Sequence, residues 1–299
     1  FGVKMCSDGA LIVAFSDRYT ALGSENPAKA AGLRLGDWIV SAGGRPVRSN
    51  DDLTAAIQAA DGASLTVVYR RDGVQHTATL TPAQDEKGGY KAGVWVRDSG
   101  AGIGTMSFVD AQHGTFAGLG HSISDTDTGT ELTLLSGEIV PVTITGCIRG
   151  AAGSPGELRG EFSAKAVGRV LANDAAGVYG SYTGGTIGQA VPVANVQEVT
   201  PGEAELWTTV QGTTAQPYKV RIERVTMTGS DPNRNLLIKV TDERLLEKTG
   251  GIVQGMSGSP IVQNGQLAAV LTHVLVNDPA KGYAIFAATM LEKADAVIK

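Results

Sequence analysis

The pattern of apolar and polar positions changes near residue 84. Before it, short apolar runs surround one amphipathic stretch. "ALIVAFS" (10–16) is apolar for the length of a strand, and "GDWIVSAGG" (36–44) is a second such run that ends in a glycine pair, a turn signal. In "SNDDLTAAIQAA" (49–60), Leu53, Ala56, Ile57 and Ala60 recur at helical spacing, with Ser49 and Asp52 spaced as an N-terminal cap pair. That predicts a helix. "SLTVVYRRDGVQHTATLTP" (64–82) reads as a hairpin turning at Arg71-Asp72-Gly73. "AQDEKGG" (83–89) is polar and turn-rich, and marks a linker that closes a first domain at residues 1–83. The polar stretch "SDRYTALGSE" (16–25) has no assigned role.

From residue 90 the chain reads as strand after strand. Examples are "YKAGVWV" (90–96), "ELTLLSGEIVPVTITGCI" (131–148), "YKVRIERVTM" (218–227), "NLLIKVT" (235–241) and "SPIVQNGQLAAVLTHVLV" (259–276), punctuated by Gly and Pro at close intervals. The end, "TMLEKADAVIK" (289–299), puts Met290, Leu291, Ala294, Val297 and Ile298 on one helical face. Many short strands and a terminal helix predict a second, mainly β domain at 90–299, a closed β-barrel pair with a C-terminal helix.

Composition agrees with that reading. Glycine contributes 40 of 299 residues, which suits tight turns because glycine adopts positive φ without steric cost. The net charge is −5 and no Lys/Arg run occurs, which argues against a nucleic-acid groove. No apolar run reaches the roughly 18–20 residues of a membrane span. The chain opens on Phe1, so it reads as an excised or processed piece, and any upstream signal or anchor would lie outside it. Cys6 and Cys147 form no disulfide framework, and no CxxC or His-rich cluster suggests zinc.

The chemistry points to "QGMSGSPIVQ" (254–263). A serine hydroxyl becomes a nucleophile only with a general base in reach, a group that orients the base, and N–H donors for the oxyanion. Gly255 and Gly258 flank Ser257 and allow a sharp turn on which backbone N–H groups converge, whereas Ser259 is assigned to structure. The base is one of His76, His113, His121 and His273. His121 sits on a Gly-bounded turn in "FAGLGHSISDTDTG" (116–129), with His113 its rival nearby; His76 lies in the first hairpin, and His273 either lines the substrate side of the site or is a satisfied buried imidazole. Asp242, Asp125 and Asp127 are the candidate orienting carboxylates, and Asp242 also reads as a helix N-cap.

Several resemblances sharpen these alternatives. The first 83 residues resemble a bacterial protease-associated PDZ domain, on "GALIVAF", "NPAKAAGLRLGDWIVSAGGRPV" and the helix led by Asp51-Asp52-Leu53. The resemblance implies capture of an extended peptide as an added strand, with Phe1-Gly2-Val3 as carboxylate-binding loop and Leu53 and Ile57 on the helix side of the groove. The pattern G-x-S-G-x-P followed by "IVQNGQLAAVLT" is similar to the nucleophile loop of chymotrypsin-fold serine peptidases, which implies Ser257 as nucleophile and the N–H groups of Gly255 and Ser257 as oxyanion hole. The phrases "GLGHSISDTDTG", "GSPGELRG", "VTDERLLEKTGGIVQGMSGSPIVQNGQ" and "THVLVNDPAKGY" resemble the sporulation stage IV B serine peptidase family along essentially the whole chain.

That family resemblance implies His121 as base, Asp242 as acidic member and Ser257 as nucleophile, with no metal or organic cofactor. It further implies export into the space between forespore and mother cell. There the family cleaves its own chain and a membrane-bound inhibitory protein, which releases an intramembrane protease to mature a sigma factor. The PDZ domain would bind peptide segments and control self-cleavage. The competing expectation is a non-catalytic PDZ scaffold built on an inactive peptidase barrel.

Overall fold

The computed structural model describes residues 1–20, 23–185, 188–228 and 231–297. Part of the stretch at 16–25 lies outside them, at 21–22, as does Ile298 of the terminal helical face. Two compact units interleave along the chain. Met5–Gly100 and Ser124–Leu135 form one, and Phe1–Lys4, Ala101–Ile123 and Ser136–Lys299 form the other. The single cut at 84–89 is thus replaced by several crossings. The cause is packing: Ala92 is buried in the first unit's core, and Val94 and Val96 pack against it, so that core extends past the polar stretch.

The first unit is a PDZ domain. Its strand Gly2–Phe15 pairs with Trp38–Ala42 through Ala10↔Ile39, Trp38–Ala42 pairs with Leu65–Arg71, and Leu65–Arg71 with Val74–Leu80. The hairpin between the last two turns at Asp72 (φ 50°) and Gly73 (φ 76°), the double positive φ that matches the twist of its strands. Helix α1 (Pro27–Ala30) starts at Asn26, whose side chain accepts from Lys29 N. Helix α2 (Asn50–Ala59) is capped by Ser49, which accepts from Asp52 N, while the Asp52 carboxylate accepts from Arg48 N. Its face of Leu53, Ala56 and Ile57 is buried in the core. Burying Leu53 and Ile57 stabilises the unit by about 1.5–3 kcal/mol each.

The second unit is mainly β and contains a closed barrel. Strands Gly202–Thr208, Gln216–Val225, Leu236–Val240, Asp278–Phe286, Gln266–Leu275 and Pro260–Gln263 close a barrel in that order around the ring. Alternation builds it: Leu206, Val220, Ile222, Leu236, Ile238 and Val240 point into one core, while Glu205, Trp207, Lys219 and Arg221 face outward. An antiparallel sheet precedes the barrel, ordered Met106–Asp110, Thr115–Gly118, Gly177–Tyr182, Gly168–Asp174 and Leu134–Val140. Helix α3 (Glu243–Thr249) ends at Gly250 in the left-handed conformation (φ 75°), a frequent helix stop. Helix α4 (Ala287–Val297) buries Ala287, Met290 and Ala294, the last two beside Ala117, Tyr179, Val270 and Ile285. Among the described residues, no helix is long and apolar enough to cross a membrane.

Candidate active site

The loop at 254–259 takes its shape from its glycines. Gly255 (φ 96°) and Gly258 (φ 94°) occupy backbone conformations that L side chains rarely adopt. A Cβ on Gly258 would lie 1.9 Å from Thr105 O and 2.6 Å from Leu119 N, so only glycine fits between the loop and the turn that precedes His121. Gln254 ties the loop down through Gln254 N→Gly156 O and Leu158 N→Gln254 O, both 2.8 Å. Met256, with no exposed surface, anchors it in the barrel core.

This geometry separates the two serines. Ser259 is fully buried, its hydroxyl 3.4 Å from Thr105 Oγ1. Ser257 is half-buried, and its hydroxyl donates to Thr272 O at 2.7 Å. Among the described residues, the N–H groups of Gly255 and Ser257 donate to nothing within the protein. Two unpartnered donors beside a reachable hydroxyl are what an oxyanion requires.

His121 stands on a turn made by two consecutive left-handed residues, Leu119 (φ 66°) and Gly120 (φ 71°). Leu119 pays a strain of order 1–3 kcal/mol in that conformation. A Cβ on Gly120 would meet Thr272 Cγ2 at 2.9 Å, so the turn presses directly on the strand whose Thr272 carbonyl holds Ser257. Thr105 laces loop and turn together: its N–H donates to Ser257 O (2.8 Å), its hydroxyl to Gly255 O (3.1 Å), and its carbonyl accepts from Leu119 N (3.2 Å). Beyond the turn, the Asn173 side chain clasps the Ile123 backbone from both sides, accepting from its N–H (2.7 Å) and donating to its carbonyl (3.0 Å).

Among the described residues, the imidazole of His121 has one hydrogen bond, between Nδ1 and Ser122 O at 2.8 Å. A carbonyl oxygen only accepts, so Nδ1 carries the proton and Nε2 keeps its lone pair for a serine proton. Loss of water on burial holds the pKa of His121 below the ordinary imidazole value, with the Ser122 carbonyl opposing the shift. The ring of His273 lies beside it, centroids 4.8 Å apart and planes inclined by 33°.

Other predicted residues stand elsewhere. Asp242 caps α3 and is not brought to His121. Its carboxylate accepts from Lys219 N, Arg244 N and two guanidinium nitrogens of Arg244, at 2.8–3.1 Å. The Arg244 bonds, and then the backbone donors, hold its pKa down at about 2. The N-cap role has taken the acid. Asp125 and Asp127 lie in the PDZ unit, both paired with Arg97, and Asp125 also accepts from Thr128 N and Oγ1 and from Asp127 N. His113 is exposed and bonds Asp110 at 2.6 Å, and exposed His76 stacks on Tyr69.

The peptide-binding assignments are corrected too. Phe1–Lys4 belongs to the second unit, where the Phe1 ring meets Phe116 edge-on and Phe1 N donates to Gly104 O. Val3 is buried, and a Cβ on Gly2 would strike the Phe162 ring at 2.3 Å. Phe1-Gly2-Val3 is therefore not the PDZ carboxylate loop, because apolar partners in the second unit have claimed it. Leu53 and Ile57 are core residues of the PDZ unit, 3% and 6% exposed. Instead, the adjacent N–H groups of Ala92 and Gly93 (φ 75°) are the ones that donate to nothing among the described residues. The positive φ at Gly93 is a signal that the motif "KAG" at 91–93 offered.

Comparison with known proteins follows the two units. Residues 88–291 match the model of the SpoIVB peptidase S55 family, and residues 18–71 match a PDZ domain. No curated protein sequence matches the chain. Among solved structures, the PDZ domain of the SdrC-like protein Lmo2051 from Listeria monocytogenes is 21% identical, covering 30% of this chain and 87% of its own, with a TM-score of 0.26. The active form of the Rv3671c protease from M. tuberculosis is 19% identical over 50% of this chain and 65% of its own, TM-score 0.34. The HtrA-type protease AlgW with a decapeptide is 13% identical over 72% of this chain and 55% of its own, TM-score 0.38.

Proposed function

We propose, for a chain that belongs to the SpoIVB peptidase S55 family, that Ser257 is the nucleophile and His121 the general base. The chain is a serine peptidase with a PDZ domain. The observation that carries the residue assignment is the half-buried Ser257 hydroxyl beside the unpartnered N–H groups of Gly255 and Ser257. In this reading the hydroxyl rests on the Thr272 carbonyl and turns to His121 when substrate binds. Oγ then attacks the scissile carbonyl carbon, His121 Nε2 takes its proton, and the two N–H groups hold the oxyanion. The imidazolium returns the proton to the leaving amine, and water repeats the sequence to free the acyl group. Each oxyanion donor contributes about 10²- to 10³-fold in rate.

The test is substitution in the full chain. Ser257→Ala and His121→Ala should each abolish proteolysis, and Ser257→Ala should end fluorophosphonate labelling, while both variants keep the wild-type melting profile. Proteolysis retained by either folded variant sinks the assignment.

Family membership also supports a finer proposal. The substrate is a membrane-bound inhibitory protein, and the chain itself, in sporulation signalling that frees an intramembrane protease to mature a sigma factor. The site of action is the space between forespore and mother cell, after export. The PDZ unit takes an extended peptide, and the free N–H groups of Ala92 and Gly93 suit its terminal carboxylate. Replacing the native copy with Ser257→Ala in a sporulating host should block sigma-factor maturation; unaltered maturation refutes this role.

A further inference from the structure

We infer that His273 is a positioning residue for the reaction, whose neutral ring stabilises the imidazolium that His121 becomes, in place of an orienting carboxylate. The inference rests on the assignment of His121 as base to Ser257.

Three observations carry it. First, no carboxylate partners His121 among the described residues: its one hydrogen bond is to Ser122 O, Asp242 is saturated by Lys219 and Arg244, and Asp125 and Asp127 are held by Arg97. A backbone carbonyl sets the tautomer of a neutral imidazole, but it carries no full charge to balance a cation. Second, the ring of His273 lies against that of His121, 4.8 Å away and inclined by 33°. A cation against an aromatic face is attracted to its π electrons, and the attraction grows as water is excluded. Third, one dipeptide serves both catalytic groups. Thr272 O accepts the Ser257 hydroxyl, Thr272 Oγ1 is fixed on Asn233 O at 2.7 Å, and His273 is the next residue along the same strand.

His273 has to remain neutral for this to work, since a second imidazolium would repel the first. Its surroundings favour that. Loss of water on its packed side, then the charge that His121 acquires, then Arg234, lower its pKa, and Asp231 opposes them. Across the ladder it pairs with Tyr283, over whose ring the Arg234 guanidinium lies at 5.2 Å, and Arg234 is itself paired with Asp231 at 3.1 Å. His273 is exposed and belongs to neither core cluster of this unit, so its substitution leaves those clusters intact.

The experiment compares His273→Ala with His273→Phe in the full chain, reading the second-order rate of fluorophosphonate labelling at Ser257 and kcat and KM for a p-nitrophenyl ester. Phenylalanine keeps an aromatic face and cannot titrate. His273→Ala should lower the labelling rate and kcat by about 3- to 30-fold with KM unchanged within about twofold, because the imidazolium exists only after proton transfer. His273→Phe should restore the rate to within about threefold of wild type. Wild-type rates in His273→Ala overturn the inference, as does equal loss in both variants. His121→Ala is run alongside: if it labels at the wild-type rate, the base assignment fails and this inference falls with it. If His121→Ala is inert and His273→Ala is not slowed, only the role of His273 fails.

Discussion

Asp242 and His121 occupy opposite chemical surroundings in one unit. The carboxylate is 5% exposed and accepts four hydrogen bonds, two of them from a guanidinium. The imidazole has one hydrogen bond, to a carbonyl, and a ring against its face. Saturation makes Asp242 part of the scaffold: its charge is fully matched and it has no lone pair left to orient a base. Sparse partnering leaves His121 with a free Nε2 and a depressed pKa, which is what a general base needs. The comparison teaches that the polar group with the most partners is here the structural one.

The largest effect should come from disturbing the contact that brings serine and base together. Gly258→Ala drives a methyl group into Thr105 O and Leu119 N, where backbone cannot yield. Activity should fall by at least about 100-fold in whatever folded protein is recovered, given the sensitivity of catalysis to ångström misplacement. Near-normal kcat in Gly258→Ala would mean the loop and the His121 turn are not held as described.

An intermediate effect separates scaffold from catalysis at Asp242. A folded pKa of about 2 against an ordinary value of 3.8 corresponds to a ceiling of about 2.4 kcal/mol, which the 68% exposure of Arg244 reduces to about 1–2 kcal/mol. Because the folded pKa is the lower one, this stability is present above pH ~4 and lost as pH falls toward ~2. Asp242→Asn should therefore lower the urea midpoint by an amount worth about 1–2 kcal/mol and leave kcat within about threefold. A loss of 10³-fold or more in kcat, with stability intact, would return Asp242 to the catalytic set.

The smallest effect is a displacement along the pH axis. His121 titrates below its ordinary 6.5 because burial disfavours its cation. In its proposed role as base, His121 should therefore give the acid limb of kcat/KM a midpoint below 6.5. The same depression means that the folded state binds fewer protons than the unfolded one just below pH 6.5, so stability declines as pH falls there. An acid limb centred at or above 6.5 would show His121 to be better solvated than its packing implies.

Much of this was legible in the residues, and the reasons are local. Flanking glycines announce the turn that carries Ser257, and Gly120 the turn that leads into His121. The α2 cap and the Asp72-Gly73 hairpin follow from short-range chemistry in the same way. Asp242 was misread as the orienting acid because a carboxylate before "ERLLEK" serves a helix start or a triad equally well on paper. What decides is the Arg244 fork two residues on. His273 beside His121, and Asn173 on Ile123, depend on strand register across long loops, which no local pattern encodes. Phe1-Gly2-Val3 matched a loop motif while its side chains suited the apolar surroundings of Phe116, Phe162 and Val140.

The interleaving of the two units has a consequence for how the protein is born. A ribosome must release residue 135 before the PDZ unit possesses its last turn, and by then residues 101–123, with the base, have emerged without the barrel they serve. Phe1–Lys4 is made before the PDZ unit, yet belongs to the unit whose barrel and helix α4 are made after it. Ser257 follows later still, so until then the nascent chain holds His121 without the serine it is proposed to activate.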